Sequence, residues 1–381
     1  PTAGGVRCEE ETDTTTPAKC GLSNNKSNEL TVGKEGVILK KSKQLGASQR
    51  GGMGSGNPNL GKSGPAKTIL NEVTGAGRSH IQGYIEVHGQ KADVILANPN
   101  GVTINGGGFI NTGRATVTTG RPDVDHTGML RGFDVRQGDV RVEGAGINAS
   151  NLTGFDIVAR AAEINAEIYA QDLGIVTGQN RYDPATRTAT PLTGDGSPRP
   201  AVAIDPSALG GMYAGRITLT STEKGVGVNL QGTMQSTGDM EITSDGRLLV
   251  KSAKAEADMR LASASGDVRI VQAAAAGNDL DISGRNVQAA NATILADANL
   301  RLKANDKIEL AEQAGVQGGK SASLEAASVK LESGTVVIGS EVAIRARQTL
   351  VDRSTIHAAV NASLEADVVT AQNDAIISGG T

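Results

Sequence analysis

From Met240 onward, apolar and polar residues alternate in short runs that recur at a steady interval. MEITSDGRLLVKS is followed by MRLASASGDVRIVQ, LDISGRNVQAANA, LRLKANDKIELAE, ASLEAASVKLES, VAIRARQTLVD and ASLEADVVTAQ. The third residue of each unit is Ile242, Leu261, Ile282, Leu302, Leu324, Ile344 and Leu364, at spacings of 19, 21, 20, 22, 20 and 20 residues. Inside a unit, pairs such as Val268 and Ile270, Ile308 and Leu310, or Val329 and Leu331 flank one polar residue, the pattern of a strand with one buried face. The breaks SDG, SASGD, GND and AND are turn-forming. No segment holds a helical period, and the Asn and Leu framework of a leucine-rich repeat is missing. The pattern predicts an all-β chain, wound as a parallel β-helix of about twenty residues per coil.

The chain before Met240 is less periodic but still strand-like. ADVILA, GVTI, RATVTT, GDVRVE and FDIVA are punctuated by NPNG, NGGG, NTG and GAG. Residues from about 30 to 239 are therefore expected to form the same helix with insertions. This stretch carries the few aromatics: Tyr84, Phe109, Phe133, Phe155, Tyr169, Tyr182 and Tyr213. There is no Trp, and no aromatic ring follows Tyr213. Aromatics usually dominate core burial, so a core without them must stack Val, Ile, Leu and Ala in thin layers.

Charge adds mainly exclusions. The net charge is −4 with both signs interspersed, which leaves no basic footprint for nucleic acid or an anionic membrane surface. No apolar run is long enough for a transmembrane helix. No charged-then-apolar leader precedes Pro1, so any signal peptide has been removed or lies outside this chain. Cys8 and Cys20, with no His nearby, read as a small disulfide loop in an oxidising compartment rather than a metal site. Two free thiols are the competing reading.

Gly56 to Ser63, GNPNLGKS, satisfies the phosphate-loop pattern. That loop works when a strand delivers the chain into a glycine turn and a helix starts at once, aiming its free N–H groups at the phosphates. Here QRGGMGS precedes it, Gly64 and Pro65 follow it, and no nucleotide site is expected. An extracellular β-helix enzyme acting on polysaccharide would need clustered carboxylates and a base. The best cluster is Asp123, Asp125 and His126, which a solvated turn explains more simply. His80, His88 and His357 are isolated, and RYDPATR (Arg181 to Arg187) reads as an extra-helical hairpin or loop. No catalytic residue, metal or cofactor is assigned.

The remaining motifs carry a resemblance. GNPNL, then ADVILANPNGVTINGGGFINTGRATVTTGRP, closely resembles the secretion domain of two-partner secretion exoproteins. That family includes filamentous haemagglutinins, secreted haemolysins and contact-dependent growth-inhibition proteins. VGKEGVILKKSKQLG, GFDIVAR, RYDPATRTATP and AIDPSALGGMYAGRITL match it as well. The resemblance covers roughly residues 22 to 240 and divides the chain into an atypical segment (1–21), a secretion domain (22–239) and the start of a repetitive shaft (240–381). It implies a right-handed β-helix with an N-terminal cap and extra-helical hairpins. It also implies recognition in the periplasm by an outer-membrane barrel with POTRA-type domains, export through that barrel, and folding at the cell surface; the twenty-residue period itself predicts a monomer. A target-cell receptor would be met by the rest of the exoprotein. An adhesin acting in its own right is the further alternative.

The family's marker motifs fall on Asn57, Pro58, Asn59 and Leu60, and on Asn98, Pro99, Asn100 and Gly101. Asn suits the first turn position, Pro presets φ at the second, and Gly fits the fourth, so both read as type I turns. The motifs either shape the coil or are read by the transporter. Two departures stand out: Lys40 and Lys41 occupy the place of a usual Asn pair, and Asn28-Glu29-Leu30 replaces a more aromatic stretch.

Overall fold

A computed structural model describes residues 10–18, 21–60, 64–206 and 210–380. Among them there is strand, turn and irregular chain, and no helix. The chain divides into two compact units, residues 1–198 and 199–381. Each is a parallel β-solenoid.

In the second unit the repeat is the coil. Ile242 lies beside Leu261, Leu261 beside Ile282, Ile282 beside Leu302, Leu302 beside Leu324, Leu324 beside Ile344, and Ile344 beside Leu364. From Ile242 to Ile344 every member of this column is fully buried. A second column runs through Leu230, Val250, Ile270, Ala289, Leu310, Leu331 and Val351 on another wall. Residues between the columns face outward, as in Asn299–Ala311, where Leu300 and Leu302 are buried and Arg301 and Lys303 reach solvent or its margin. The turns are laddered too: Asp258 Oδ1 accepts from Asn278 Nδ2 (2.6 Å), and Asp279 Oδ1 accepts from Asn299 Nδ2 (2.9 Å). Aliphatic side chains stacked at one rung spacing fill this lumen without rings.

The first unit adds outer layers to the same winding. Strands Leu22–Ser27, Thr68–Val73, Ala92–Ala97, Thr112–Thr118, Gly154–Ala159 and Glu167–Thr177 stack in parallel as one wall. A four-stranded antiparallel sheet, Arg121–Val124, Leu130–Val135, Asn180–Asp183 and Thr188–Pro191, lies against the outer face of that wall. Phe133, Val135 and Tyr182 from this sheet pack on Leu70, Ile95, Ala97, Val158 and Val176 from the wall. RYDPATR is thus half of an extra-helical hairpin. A second hairpin, Gly46–Ser48 with Gly52–Gly54, projects separately. The rings divide between layers: Phe109 and Phe155, 6.3 Å apart, sit in the lumen, while Phe133 and Tyr182 sit in the outer sheet.

Candidate functional site

Both marker tetrapeptides turn a corner and reach back to chain already laid down. In the first, Asn57 is 3% exposed. Its Nδ2 donates to Thr14 O (2.8 Å), Thr14 Oγ1 (3.1 Å) and Lys40 O (2.7 Å), while its Oδ1 accepts from Asn59 N at 2.8 Å. The N-terminal segment is thereby pinned over the end of the solenoid, and Thr16 Oγ1 adds a bond to Asn59 O. Leu60 is buried; Pro58 and Asn59 face solvent.

In the second, Asn98 is 1% exposed. Its Nδ2 donates to Gly77 O and Ser79 Oγ, both at 2.9 Å, and its Oδ1 accepts from Asn100 N at 2.9 Å. Asn100 Nδ2 reaches Gly75 O at 2.7 Å, and Gly101 N closes the turn on Asn98 O at 3.0 Å. Gly101 has φ of +109°, and a Cβ there would lie 2.5 Å from Arg78 Nη1, so both conformation and space call for glycine. Pro99 and Asn100 are half-exposed. The first Asn of each motif is a buried amide with its bonds made, a structural staple.

Arg78, which no sequence pattern flagged, braces the second turn. Its guanidinium bonds both carboxylate oxygens of Asp139 (3.0 and 2.9 Å), Val102 O and Thr103 Oγ1. Burial alone would raise the Asp139 pKa, but the Arg78 and Arg141 bonds and charges outweigh it and hold the carboxyl low. A larger cluster fastens the outer sheet: Arg114 and Arg187 both pair with Asp156 and Asp172 at 2.7–2.9 Å. Asp156 is 2% exposed. Its one advance signal is an acid in the middle of the apolar strand GFDIVA. Burial and the Asp156 charge push the neighbouring Tyr182 hydroxyl upward in pKa.

The other candidates are placed as follows. Asp125 accepts from Thr127 N, Thr127 Oγ1 and Met129 N and pairs with Arg131, while Asp123 pairs with Arg181. Asp125 is thus occupied in shaping a loop, and Asp123 in tying two strands of the outer sheet. Lys41 is 2% exposed, its Nζ bonding Gln90 O (3.1 Å) and Lys91 O (2.9 Å). Burial lowers its pKa to about 8, with the Asp93 charge opposing. Lys40 Nζ bonds Ser55 Oγ. Cys8, Cys20 and the end of the phosphate-loop pattern, residues 61–63, lie outside the described residues.

Residues 11–250 match the family described as TPS secretion domain, and residues 253–312 and 316–381 match the haemagglutinin repeat. The chain is 46% identical over 289 residues to a 16S rRNA endonuclease CdiA of Enterobacter cloacae, covering 75% of this chain and 9% of that protein. It is 38% identical over 380 residues to a toxin CdiA of Escherichia coli, covering 96% of this chain and 11% of that protein. The chain therefore spans about a tenth of the length of these relatives. A crystal structure of a filamentous haemagglutinin secretion domain superposes with a TM-score of 0.63 at 31% identity, covering 83% of this chain and 97% of that one.

Proposed function

The chain belongs to the TPS secretion domain family, and from that premise we propose that it is the export module of a very large exoprotein that carries a toxin. Domains of this family direct their exoproteins across the outer membrane for secretion or surface display, with a dedicated outer-membrane transporter as partner. The module itself is a carrier and not a catalyst. The nuclease and toxin names belong to relatives some ten times longer. The toxin reading rests on the identity to those relatives along nearly the whole chain. An adhesin is the second reading, favoured by the haemagglutinin repeats. Growth inhibition of co-cultured neighbours by cells carrying the whole exoprotein supports the first; adhesion without inhibition supports the second. The export module is assigned to residues 22–239 and the start of the shaft to 240–381. The transporter's periplasmic POTRA-type domains would meet the module first, and a target-cell receptor would meet the exoprotein beyond it.

The observation that carries the mechanism is the direction of the staples. Asn57 bonds Thr14 and Lys40, and Asn98 bonds Gly77 and Ser79, all earlier in the chain. A chain leaving a pore N-terminus first has these partners outside before each Asn arrives, so each turn locks as it emerges. The motifs then serve export through folding. Asn98→Ala leaves Ser79 and Gly77 without their donor and is expected to cost about 1–3 kcal/mol. Its melting temperature and its secretion by cells carrying the transporter should fall together. Pro99→Ala and Asn100→Ala should cost on the order of 1 kcal/mol and lower both modestly. Lost secretion with an unchanged melting temperature in any of the three would instead mean that the transporter reads the tetrapeptide itself.

A further inference from the structure

We propose that the first coil holds a binding site for a short, neutral aliphatic molecule carrying one oxygen acceptor. One lumen column of the first unit runs Asn25, Asn71, Leu96, Val117, Ile157 and Ile175. Four members are aliphatic and stack as the lumen requires; the first two are amides. Around this break lies a cavity of about 310 Å³, lined in its buried part by Asn71, Val32, Leu39, Ile85 and Leu96 and on its exposed side by polar residues such as Thr15, Ser27 and Thr31.

The amides are oriented by their neighbours. Thr15 N donates to Asn25 Oδ1 at 2.8 Å, which turns Asn25 Nδ2 toward Asn71 Oδ1 at 3.3 Å. Among the described residues Asn71 Nδ2 is thus left buried without a partner, on a residue 7% exposed. A leucine at position 71 would continue the column and avoid the orphan donor. A departure from the local rule with no structural gain is the mark of a built site. Water can bond the polar, exposed side of this space, but its buried aliphatic part offers few of the two to four polar partners that a buried water needs. A pocket that joins buried aliphatic side chains to a few placed polar groups is the usual form of a small-molecule site. At roughly 30 Å³ per atom-sized group the cavity takes about ten such groups, a chain of six to eight carbons with its oxygen. Lys26 and Glu29, one of each sign, stand at the lining, so no ionic head is selected.

The probe is 1-heptanol, with n-heptane as the analogue lacking an acceptor, added to the full chain and followed by methyl NMR of Leu39, Ile85 and Leu96. Saturable shifts with heptanol, about tenfold weaker with heptane, are expected for one hydrogen bond to Asn71. Asn71→Leu removes the donor and fills the space; it should abolish the shifts and raise the melting temperature of the unliganded protein. Leu96→Phe fills the cavity from another wall with Asn71 intact, and should abolish binding as well. Absence of saturation in the native chain means a hydrated void only, and equal binding by Asn71→Leu means binding elsewhere on the chain; either result overturns the proposal.

Discussion

Two strands built from similar residues show how differently the two units use them. Gly154–Ala159 in the first unit is buried at all six positions. Asn299–Ala311 in the second alternates between buried and outward residues along most of its length. Both stack a lumen column, but only the first has a sheet over its back. With both faces covered, a strand reads as a continuous apolar run, and the acid it does contain, Asp156, is tolerated because two arginines meet it. The bare coil packs apolar side chains on its lumen side alone, while the covered coil packs them on both faces.

This contrast is most directly broken from the lumen of the second unit. Ile282→Asp or Leu302→Asp buries an unpaired carboxylate and should cost several kcal/mol, unfolding the adjacent coils in chemical denaturation. Changes to alanine at Lys303 or Glu309 should stay within about 0.5 kcal/mol, their ion pairs being solvent-facing. Equal effects on both faces would refute the assigned register.

The next largest effect belongs to the outward face of the covered coil. Val158 is fully buried against the outer sheet, so Val158→Asp should cost about 2–4 kcal/mol, comparable to a lumen change. If it proves as harmless as Lys303→Ala, the outer sheet contributes no burial energy. Its loss should first show as hydrogen exchange in Leu130–Val135 and Asn180–Asp183.

The smallest test is a pH profile that only the first unit should show. Lys41 has a folded pKa near 8 against 10.5 for the ordinary side chain. Between those values the unfolded chain holds the proton and the folded chain does not, so stability rises with pH across the window. Below pH 8 both states are charged and the burial cost is complete. The native protein should therefore gain stability relative to Lys41→Met from pH 8 to 10.5, on the order of 1–3 kcal/mol. A flat difference would mean that Lys41 is charged throughout.

How much of this was legible in the sequence differs between the units for the same physical reason. In the second, a one-sided strand shows its inside and outside in turn, and the spacing of Ile242 to Leu364 is the register itself. In the first, the covered strands ADVILA and FDIVA lose the alternation that marks a face, so their strand character is visible but their two layers are not. NPNG announced its turn through Asn, Pro and Gly, since those preferences are local. Its partners Gly75, Gly77 and Ser79 left no trace, because glycine carbonyls and a serine hydroxyl have no pattern to detect. Lys41 was visible as a departure from the family, but its burial against Gln90 and Lys91 depends on a coil closure that no spacing encodes.

The uniform register of the second unit has a mechanical consequence. From Met240 onward each rung is bonded to the rungs before and after it at a separation of 19 to 22 residues. Pulled along its length, such an array yields one coil at a time, because each coil contacts only its neighbours. A coil of about twenty residues adds roughly 65–70 Å of extended chain while giving up a rung of about 5 Å. Each coil released thus becomes more than tenfold longer, so this stretch would absorb a pull in steps while the remaining coils stay wound.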